Sequence, residues 1–482
     1  MKVVLFALNT SYVQTNLAVR CLKKYIDAKK ENAADISVVI IEKNLKDKTD
    51  EIIHALYDQR ADIYGFSCYI FNIKEMLRFA SDIKKLLPKS LIVFGGPEVS
   101  YDCEDIISQH GFIDNIIAGE GEKVFYDLLK GNTAGRIIHA GKYTDFISQD
   151  TMYDNETRFK GNIVYYESSR GCPYNCSYCL SSTVKGVCAK STEKTLEDLL
   201  RFESLDDNIA IVKFVDRTFN FSKERTKAIL IGLLDSKYTK CYHMEIVAEL
   251  LDEEIFDILK RYPKGKMQFE AGIQSTNPKT LEAVNRNGST EKALANIRRI
   301  KDMGNIKIHC DLIAGLPFEN MESFKRSFDM TYDVSNELQL GFLKLLKGSK
   351  IRKEMDKYGY IVEDDPPYEV LANDFMSFDD MFRLKRMAAL IERYKNGKGF
   401  KDSMDMLISY CISPFDFYYD LDKQVGRHIS ELSQHEAYKN LFLFTEKYIK
   451  KTISERKWSE YIICLRNDYQ NSMNRDSPGY MY

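Results

Sequence analysis

The chain has 482 residues, which is too long for one ordinary domain and predicts two or three domains. Hydrophobic residues make up 44% and charged residues 29% of it, as in ordinary globular proteins. The formal net charge of -2 argues against a nucleic-acid backbone as the main partner, and no apolar run is long enough to span a membrane.

Residues 1–135 alternate short apolar runs with amphipathic helical patterns, starting with "KVVLFAL" at the N-terminus. Five such strand–helix repeats predict a doubly wound (Rossmann-like) parallel sheet. Ligands of such sheets bind beyond the carboxyl ends of the strands, where the loops 9–16, 67–72, 95–100 and 119–122 lie. In these loops four glycines let a backbone approach a large flat ligand, although turn geometry alone also favours glycine: Gly95, Gly96, Gly119 and Gly121.

The rest of the chain divides into three further segments. Residues 136–160 are polar and irregular and predict a linker. Residues 161–349 carry about six further strand–helix units, which fit a partial (β/α)6 barrel better than a closed barrel of eight units. Residues 350–482 are mostly helical in pattern and rich in Tyr and Phe. We expect this C-terminal region to pack over the barrel mouth or against the first domain.

Three cysteines, Cys172, Cys176 and Cys179, lie within eight residues in "GCPYNCSYC". The other cysteines are scattered singly in apolar surroundings, as expected in a reducing, cytoplasmic compartment. A structural zinc site usually has four ligands in two pairs, and only Cys188 offers a weak fourth. Three thiolates suit a cubane iron–sulfur cluster with one open iron. A zinc knuckle is the alternative.

The spacing C-x-x-x-C-x-x-C with Tyr178 before the last cysteine resembles the signature of radical S-adenosylmethionine (SAM) enzymes. The preceding doubly wound domain resembles the cobalamin-binding domain of their cobalamin-dependent branch. The resemblance implies a [4Fe–4S] cluster on Cys172, Cys176 and Cys179, with SAM chelating the open iron. One-electron reduction would then cleave SAM to a 5′-deoxyadenosyl radical.

The resemblance also implies contacts to SAM at the strand ends of the barrel. Tyr178 would pack on a planar ligand, Asp216 would accept the SAM amino group, and Arg217 would pair with a carboxylate. The remaining expected contacts are to ribose, carboxylate or adenine and involve Glu245, Gln274, Ser275 and Gly315. Each of these residues has an alternative role in turns, in helix capping or in filling the barrel.

The loop after the first strand, "NTSYVQTN", lacks the histidine that many cobalamin domains place under the cobalt. If cobalamin binds, its cobalt should therefore have no protein imidazole ligand, and Tyr12, Val13 or Gln14 should face its lower side. Ser67 would hydrogen-bond the nucleotide tail, unless its hydroxyl bonds its own backbone.

These features favour a cobalamin-dependent radical SAM methyltransferase that acts on an unactivated carbon of a small molecule or peptide, by way of the 5′-deoxyadenosyl radical and methylcobalamin. One alternative is an enzyme with the same cofactors that cyclises, rearranges or oxidises its substrate. Another is a non-catalytic iron–sulfur or cobalamin sensor, although no basic DNA-binding pattern is visible. The expected partners are the substrate and a reductant such as flavodoxin or ferredoxin, with no nucleic acid and no membrane insertion.

Overall fold

The structure is a computed structural model of the chain. It describes residues 1–12, 14–29, 35–142, 145–148, 153, 163–205, 209–236, 238–426, 431–474 and 476–481.

The first sheet has six parallel strands in the order β2-β1-β3-β4-β5-β6. They are β1 (Lys2–Asn9), β2 (Ser37–Asn44), β3 (Ile63–Ser67), β4 (Leu91–Gly95), β5 (Asn115–Ala118) and β6 (Ile137–His139). The predicted doubly wound sheet is confirmed, but β6 lies in the stretch that the sequence predicts to be linker. The sequence signal of β6 is weak because it is only three residues long and pairs at the edge of the sheet.

Helices cover both faces of this sheet. They are α1 (Leu17–Ala28), α2 (Thr49–Tyr57), α3 (Ile73–Leu86), α4 (Cys103–Gln109) and α5 (Gly121–Leu129). Two apolar cores result, one between the sheet and α1 and α5, the other between the sheet and α2, α3 and α4. The strand order reverses between β1 and β3, and sheets of this type bind ligands outside that switch point.

The second sheet also has six parallel strands, in the order β14-β13-β12-β11-β10-β7. They are β7 (Ile163–Tyr166), β10 (Ile211–Phe214), β11 (Cys241–Ile246), β12 (Met267–Gln274), β13 (Lys307–Ala314) and β14 (Glu337–Phe342). Its helices are α6 (Thr192–Glu203), α7 (Lys223–Asp235), α8 (Glu253–Leu259), α9 (Pro278–Ala283), α10 (Thr290–Met303) and α11 (Met321–Val334). Since β7 and β14 are edge strands, the barrel is open, as predicted.

Residues alternate along these strands between a buried and a half-buried position. In β12 every second residue from Met267 to Ile273 is buried, and the residues between them include Glu270. The buried side chains belong to a core formed with the barrel helices, so the polar side chains line the barrel interior.

A hairpin and six helices follow the barrel. They are α12 (Lys350–Lys353), β15 (Ile361–Val362), β16 (Val370–Ala372), α13 (Phe378–Ile391), α14 (Lys401–Ile408), α15 (Pro414–Val425), α16 (Gln434–Tyr448) and α17 (Glu455–Met473). Their apolar side chains join those of the barrel in one continuous core. Among the described helices, none combines the length and the apolar character needed to cross a membrane.

Candidate functional site

The three clustered cysteines lie on a loop closed by an antiparallel hairpin of β8 (Ser169–Cys172) and β9 (Gly186–Ala189). Cys172 is the last residue of β8, and Cys176 and Cys179 follow in the loop. Gly171 has a φ of 89°, and a Cβ at this position would collide with the carbonyl oxygen of Gly186. Only glycine therefore lets the two strands approach just before the first cysteine.

Asp216, which follows β10, anchors the start of this hairpin. It is fully buried and accepts hydrogen bonds from the backbone N–H and the hydroxyl of both Ser168 and Ser169, at 2.5 to 3.1 Å. These four bonds use both carboxylate oxygens. In this structure Asp216 holds the start of the cysteine hairpin, and its contact with the SAM amino group stays a prediction.

The segment after α9 provides a second anchor. No motif in the sequence indicates this role. The N–H of Ser177 donates to the carbonyl of Val284 at 2.9 Å, and Arg286 Nη1 lies 3.8 Å from Cys176 Sγ. Arg286 also donates to the carbonyl of Gly272 in β12. A guanidinium thus sits beside one thiol of the loop, where it would stabilise negative charge on the sulfur. Burial raises the pKa of neighbouring Tyr178.

The cysteine loop supplies three thiols, the donors that iron–sulfur clusters take. Within the described parts of the chain, no three His, Cys, Asp or Glu side chains converge on a point where one metal ion could bind. In a cubane each thiolate ligates a different iron, so the sulfur atoms need not converge in this way. Cys188 is paired in the hairpin opposite Arg170 and packs against Tyr25 and Phe146, away from the loop. The donor set therefore fits a cubane with three cysteine ligands.

A cavity of about 710 Å³ lies between the carboxyl ends of the two sheets. From the first sheet it is lined by the ends of β1, β3, β4 and β5, and from the barrel by the hairpin, the cysteine loop and the end of β10. A slot runs from it between the first sheet and helices α1 and α5, past Leu5, Gly65 and Phe125. A Cβ on Gly65 would lie 3.0 Å from Leu5, so the absence of a side chain keeps the slot open.

Most of the residues predicted to contact cobalamin line this cavity. They are Gln14, Ser67, Gly95, Gly96, Gly119 and Gly121. Gly96 and Gly119 have φ values of 114° and 105°, which favour glycine. Tyr12 does not line the cavity, because its hydroxyl donates to Asp47 Oδ1 at 2.6 Å and its side chain is half exposed. Val13 lies outside the described residues.

Arg170 joins the two halves of the cavity. Its guanidinium bonds Glu122 at 2.6 Å, Glu120 at 3.2 Å and Glu167 at 2.8 Å. Glu120 and Glu122 lie where β5 leads into α5, whereas Arg170 and Glu167 flank the start of the cysteine hairpin. Burial raises the pKa of Glu167. This buried network holds the glycine loop of the first sheet against the cysteine hairpin.

The predicted SAM-binding residues of the barrel fall into two groups. Three have polar groups available to a ligand, and two make structural contacts. Arg217 is exposed at the cavity wall, and Glu245 lies behind it with its pKa raised by burial. Gln274, at a φ of 69°, has a buried Oε1 with no hydrogen-bond partner among the described residues. These three polar groups are available to a ligand.

Two other predicted SAM-binding residues, Ser275 and Gly315, make structural contacts, and their role in binding SAM stays a prediction. The hydroxyl of Ser275, which is fully buried, donates to Glu319 Oε2. Gly315 is buried under the C-terminal region, and its carbonyl accepts from Tyr360 Oη at 3.1 Å and Asn373 Nδ2 at 2.8 Å. Both residues have structural roles that strand-end position alone could not distinguish from ligand contact.

Asp311 is an unanticipated acid in the barrel interior. Burial and the nearby carboxylates of Glu270 and Glu245 raise its pKa to about 7. In contrast, hydrogen bonds from His243 and Lys213 lower the pKa of Glu270 to about 2.

Family models match all three regions of the chain. A model of the B12 binding domain matches residues 9–129, and the Radical SAM superfamily model matches residues 166–331. The chain is a cobalamin-dependent radical SAM protein. The Radical SAM match implies SAM and a [4Fe–4S] cluster as cofactors, and the match to the B12 binding domain implies cobalamin. Residues 356–479 match a model described as "Protein of unknown function (DUF4080)".

The chain is similar in sequence to several methyltransferases. It is 24% identical to the cobalamin-dependent radical SAM methyltransferase TokK of Streptomyces tokunonensis in an alignment of 340 positions that covers 62% of this chain and 49% of TokK. It is 25% identical to the hopanoid C-3 methylase of Methylococcus capsulatus in an alignment of 291 positions that covers 55% of each chain. The chain thus matches about half the length of these relatives.

Two solved structures share the fold. The aqua-cobalamin complex of the cobalamin-dependent S-adenosylmethionine radical enzyme OxsB aligns with a TM-score of 0.67 and 15% identity, covering 100% of this chain and 82% of OxsB. The methyltransferase TsrM from Kitasatospora setae, with cobalamin and a [4Fe–4S] cluster bound, aligns with a TM-score of 0.59 and 16% identity, covering 76% of this chain and 78% of TsrM. The succession of a doubly wound sheet and an open barrel is therefore also found in these two solved structures.

Proposed function

We propose that this protein is a methyltransferase that transfers a methyl group to an unactivated carbon of a small molecule or peptide. The observation that carries the proposal is the single cavity of about 710 Å³ onto which both the glycine loops of the first sheet and the cysteine loop open. When bound, the cluster with SAM supplies a 5′-deoxyadenosyl radical and cobalamin supplies a methyl group. A substrate in this cavity can meet both.

The residues of the chain have separate tasks in this proposal. Cys172, Cys176 and Cys179 hold the cluster, and the residues on either side of them, Gly171 and Leu180, line the cavity. Gly95 and Gly96 let the backbone come close to the corrin ring, while the apolar slot past Gly65 accepts the nucleotide tail. With no histidine in the loop after β1, the first domain offers no imidazole to the cobalt from that loop.

SAM would lie between the cysteine loop and the barrel interior. Arg286, beside Cys176, and Arg217, at the cavity wall, are the cations available to its carboxylate. Gln274 Oε1 and the carboxyl of Glu245 are the acceptors available to its amino group or ribose.

The protein also needs an electron donor, for which flavodoxin or ferredoxin is the proposed class. The proposed compartment is the reducing cytoplasm, because the cysteines outside the three-cysteine loop are scattered singly in the sequence.

The test is an anaerobic reaction of the reconstituted enzyme with methyl-labelled SAM. The substrates tried are those that the neighbouring biosynthetic genes indicate. We expect one S-adenosylhomocysteine and one 5′-deoxyadenosine per product, with the label in the product. Product and 5′-deoxyadenosine without S-adenosylhomocysteine or added methyl mass would reject methyl transfer in favour of cyclisation, rearrangement or oxidation. Absence of any SAM cleavage under reducing conditions would favour a sensor.

A further inference from the structure

The loop between β4 and α4, residues 96–102, lines the cavity and contacts two other regions of the chain. Gly96, Pro97, Ser100 and Tyr101 line the cavity on the side of the first sheet. Two side chains of the same loop, Glu98 and Tyr101, reach out of the first sheet and contact other regions of the chain. Their partners decide how the loop is held.

Glu98 is bound by the C-terminal hairpin and by the segment that follows β14. Tyr368, in the connection between β15 and β16, donates from its hydroxyl to Glu98 Oε1 at 2.5 Å. Lys347, just after β14, lies 3.5 Å from the same oxygen and 3.6 Å from Asp102. Glu98 and Tyr368 are only 5% and 4% exposed. A buried carboxylate is costly without partners, so this contact favours one arrangement of the loop and the hairpin.

Tyr368 is itself fixed to the end of the barrel. Its carbonyl accepts from the N–H of Leu345 at 2.9 Å, and the N–H of Val370 donates to the carbonyl of Leu343 at 2.9 Å. The guanidinium of Arg352 lies 4.8 Å from the centre of the Tyr368 ring. The hairpin is therefore an extension of the barrel, and its tyrosine is preset to meet Glu98.

Tyr101 connects the loop to the cysteine loop. Its hydroxyl lies 3.0 Å from the hydroxyl of Thr183, four residues after Cys179. Its ring covers Gly348, where a Cβ would collide with it. The loop 96–102 is thus attached to the cysteine loop on one side and to the C-terminal hairpin on the other.

We propose that the C-terminal hairpin and the segment after β14 form a clasp, in which Tyr368 of the hairpin and Lys347 of that segment are positioning residues for the loop 96–102. By holding Glu98, they keep the cavity wall of the first sheet at a fixed place opposite the cysteine loop. The role in cobalamin binding rests on the proposed function, because the loop lines the cavity assigned to cobalamin. In this proposal the role of the segment 361–372 in the C-terminal region is to position the loop 96–102.

The test compares Tyr368→Phe with Tyr360→Phe in the full-length protein with its cluster reconstituted. Both changes remove one buried phenol hydroxyl, but Tyr360 donates to Gly315 within the barrel and not to the first sheet. Hydrogen exchange is measured at the amides of Glu98 and Val99, which bond Cys68 and Gly96. We expect Tyr368→Phe to accelerate their exchange by about tenfold or more, as for loss of a hydrogen bond to a charged group, and Tyr360→Phe to leave it unchanged.

The second readout is the affinity for hydroxocobalamin. We expect about tenfold weaker binding by Tyr368→Phe and unchanged binding by Tyr360→Phe. If both variants match the wild type in exchange and affinity, the clasp is wrong. If the wild type binds no cobalamin, the proposed function fails, whereas the exchange comparison still decides the clasp. Should Tyr368→Phe fail to fold, Lys347→Met replaces it in both measurements, with the same expected directions.

Discussion

Replacing Asp216 by Ala separates its anchoring role from a role in binding SAM. The change leaves the backbone N–H groups of Ser168 and Ser169 without their acceptor, at 2.8 and 3.1 Å in the structure. Each such buried N–H costs about 1–3 kcal/mol. The hydroxyls of the two serines can rotate away, so the two N–H groups give a total loss of about 2–6 kcal/mol. The cysteine hairpin that starts at these residues should loosen with them.

The assay is thermal unfolding of the protein together with its iron content after anaerobic reconstitution. A loss of 2 kcal/mol in a barrel of this size lowers the melting temperature by about 4 °C or more. We expect Asp216→Ala to show such a decrease and to bind less iron. Glu245→Gln is the control, because Glu245 lies at the end of the adjacent strand β11 and its charge is already disfavoured by burial. It should retain both stability and iron.

Unchanged stability and full iron content in Asp216→Ala, with only weaker SAM binding, would refute this reasoning. It would support Asp216 as a SAM ligand and show that the hairpin does not depend on the anchor described above.

Three further predictions concern the cluster, the cobalt and the barrel interior. Changing Cys172, Cys176 and Cys179 together to Ala should abolish the four-iron cluster and SAM cleavage, whereas Cys188→Ala should keep both; iron retained in the triple variant would contradict the assignment. The electron paramagnetic resonance spectrum of the cob(II)alamin form should lack strong axial nitrogen splitting, and a clear splitting would show a nitrogen ligand on the cobalt. Since the pKa of Asp311 is raised from 3.8 to about 7, the folded state binds the extra proton, and stability falls as pH rises between these values. The free energy of unfolding of Asp311→Asn should therefore equal that of the wild type near pH 4 and exceed it at pH 8, by at most about 4 kcal/mol before screening by water. If urea titrations give the variant and the wild type the same free energy of unfolding at both pH values, the raised pKa is contradicted.

The strands of both sheets could be predicted from the sequence because most are apolar runs separated by helical patterns. Shorter or more polar strands could not. The strand Ile137–His139 has only three residues, and Ser169–Cys172 has no apolar side chain before its cysteine. These strands exist because a partner lies beside them, which is information from distant parts of the chain.

The candidate site shows the same division. The three cysteines carry a local signal, whereas Arg286 lies 110 residues from Cys176 and has none. The sequence predicts that Asp216 lies at a strand end, as the structure shows. Its partners there are the serines that follow the neighbouring strand β7. Neighbouring parallel strands end at the same edge, so this pairing is the one contact that the predicted strand order could have indicated.

The most direct test of the account is the magnetic interaction between the two cofactors in one protein molecule. In a sample with cob(II)alamin bound and the cluster reduced, the single cavity predicts mutual broadening or faster relaxation of the two paramagnetic signals. The same sample with the cluster oxidised, and the triple cysteine variant with cobalamin bound, should show the undisturbed cob(II)alamin signal. Two fully independent signals in the reduced wild type would contradict the claim that both cofactors face one cavity.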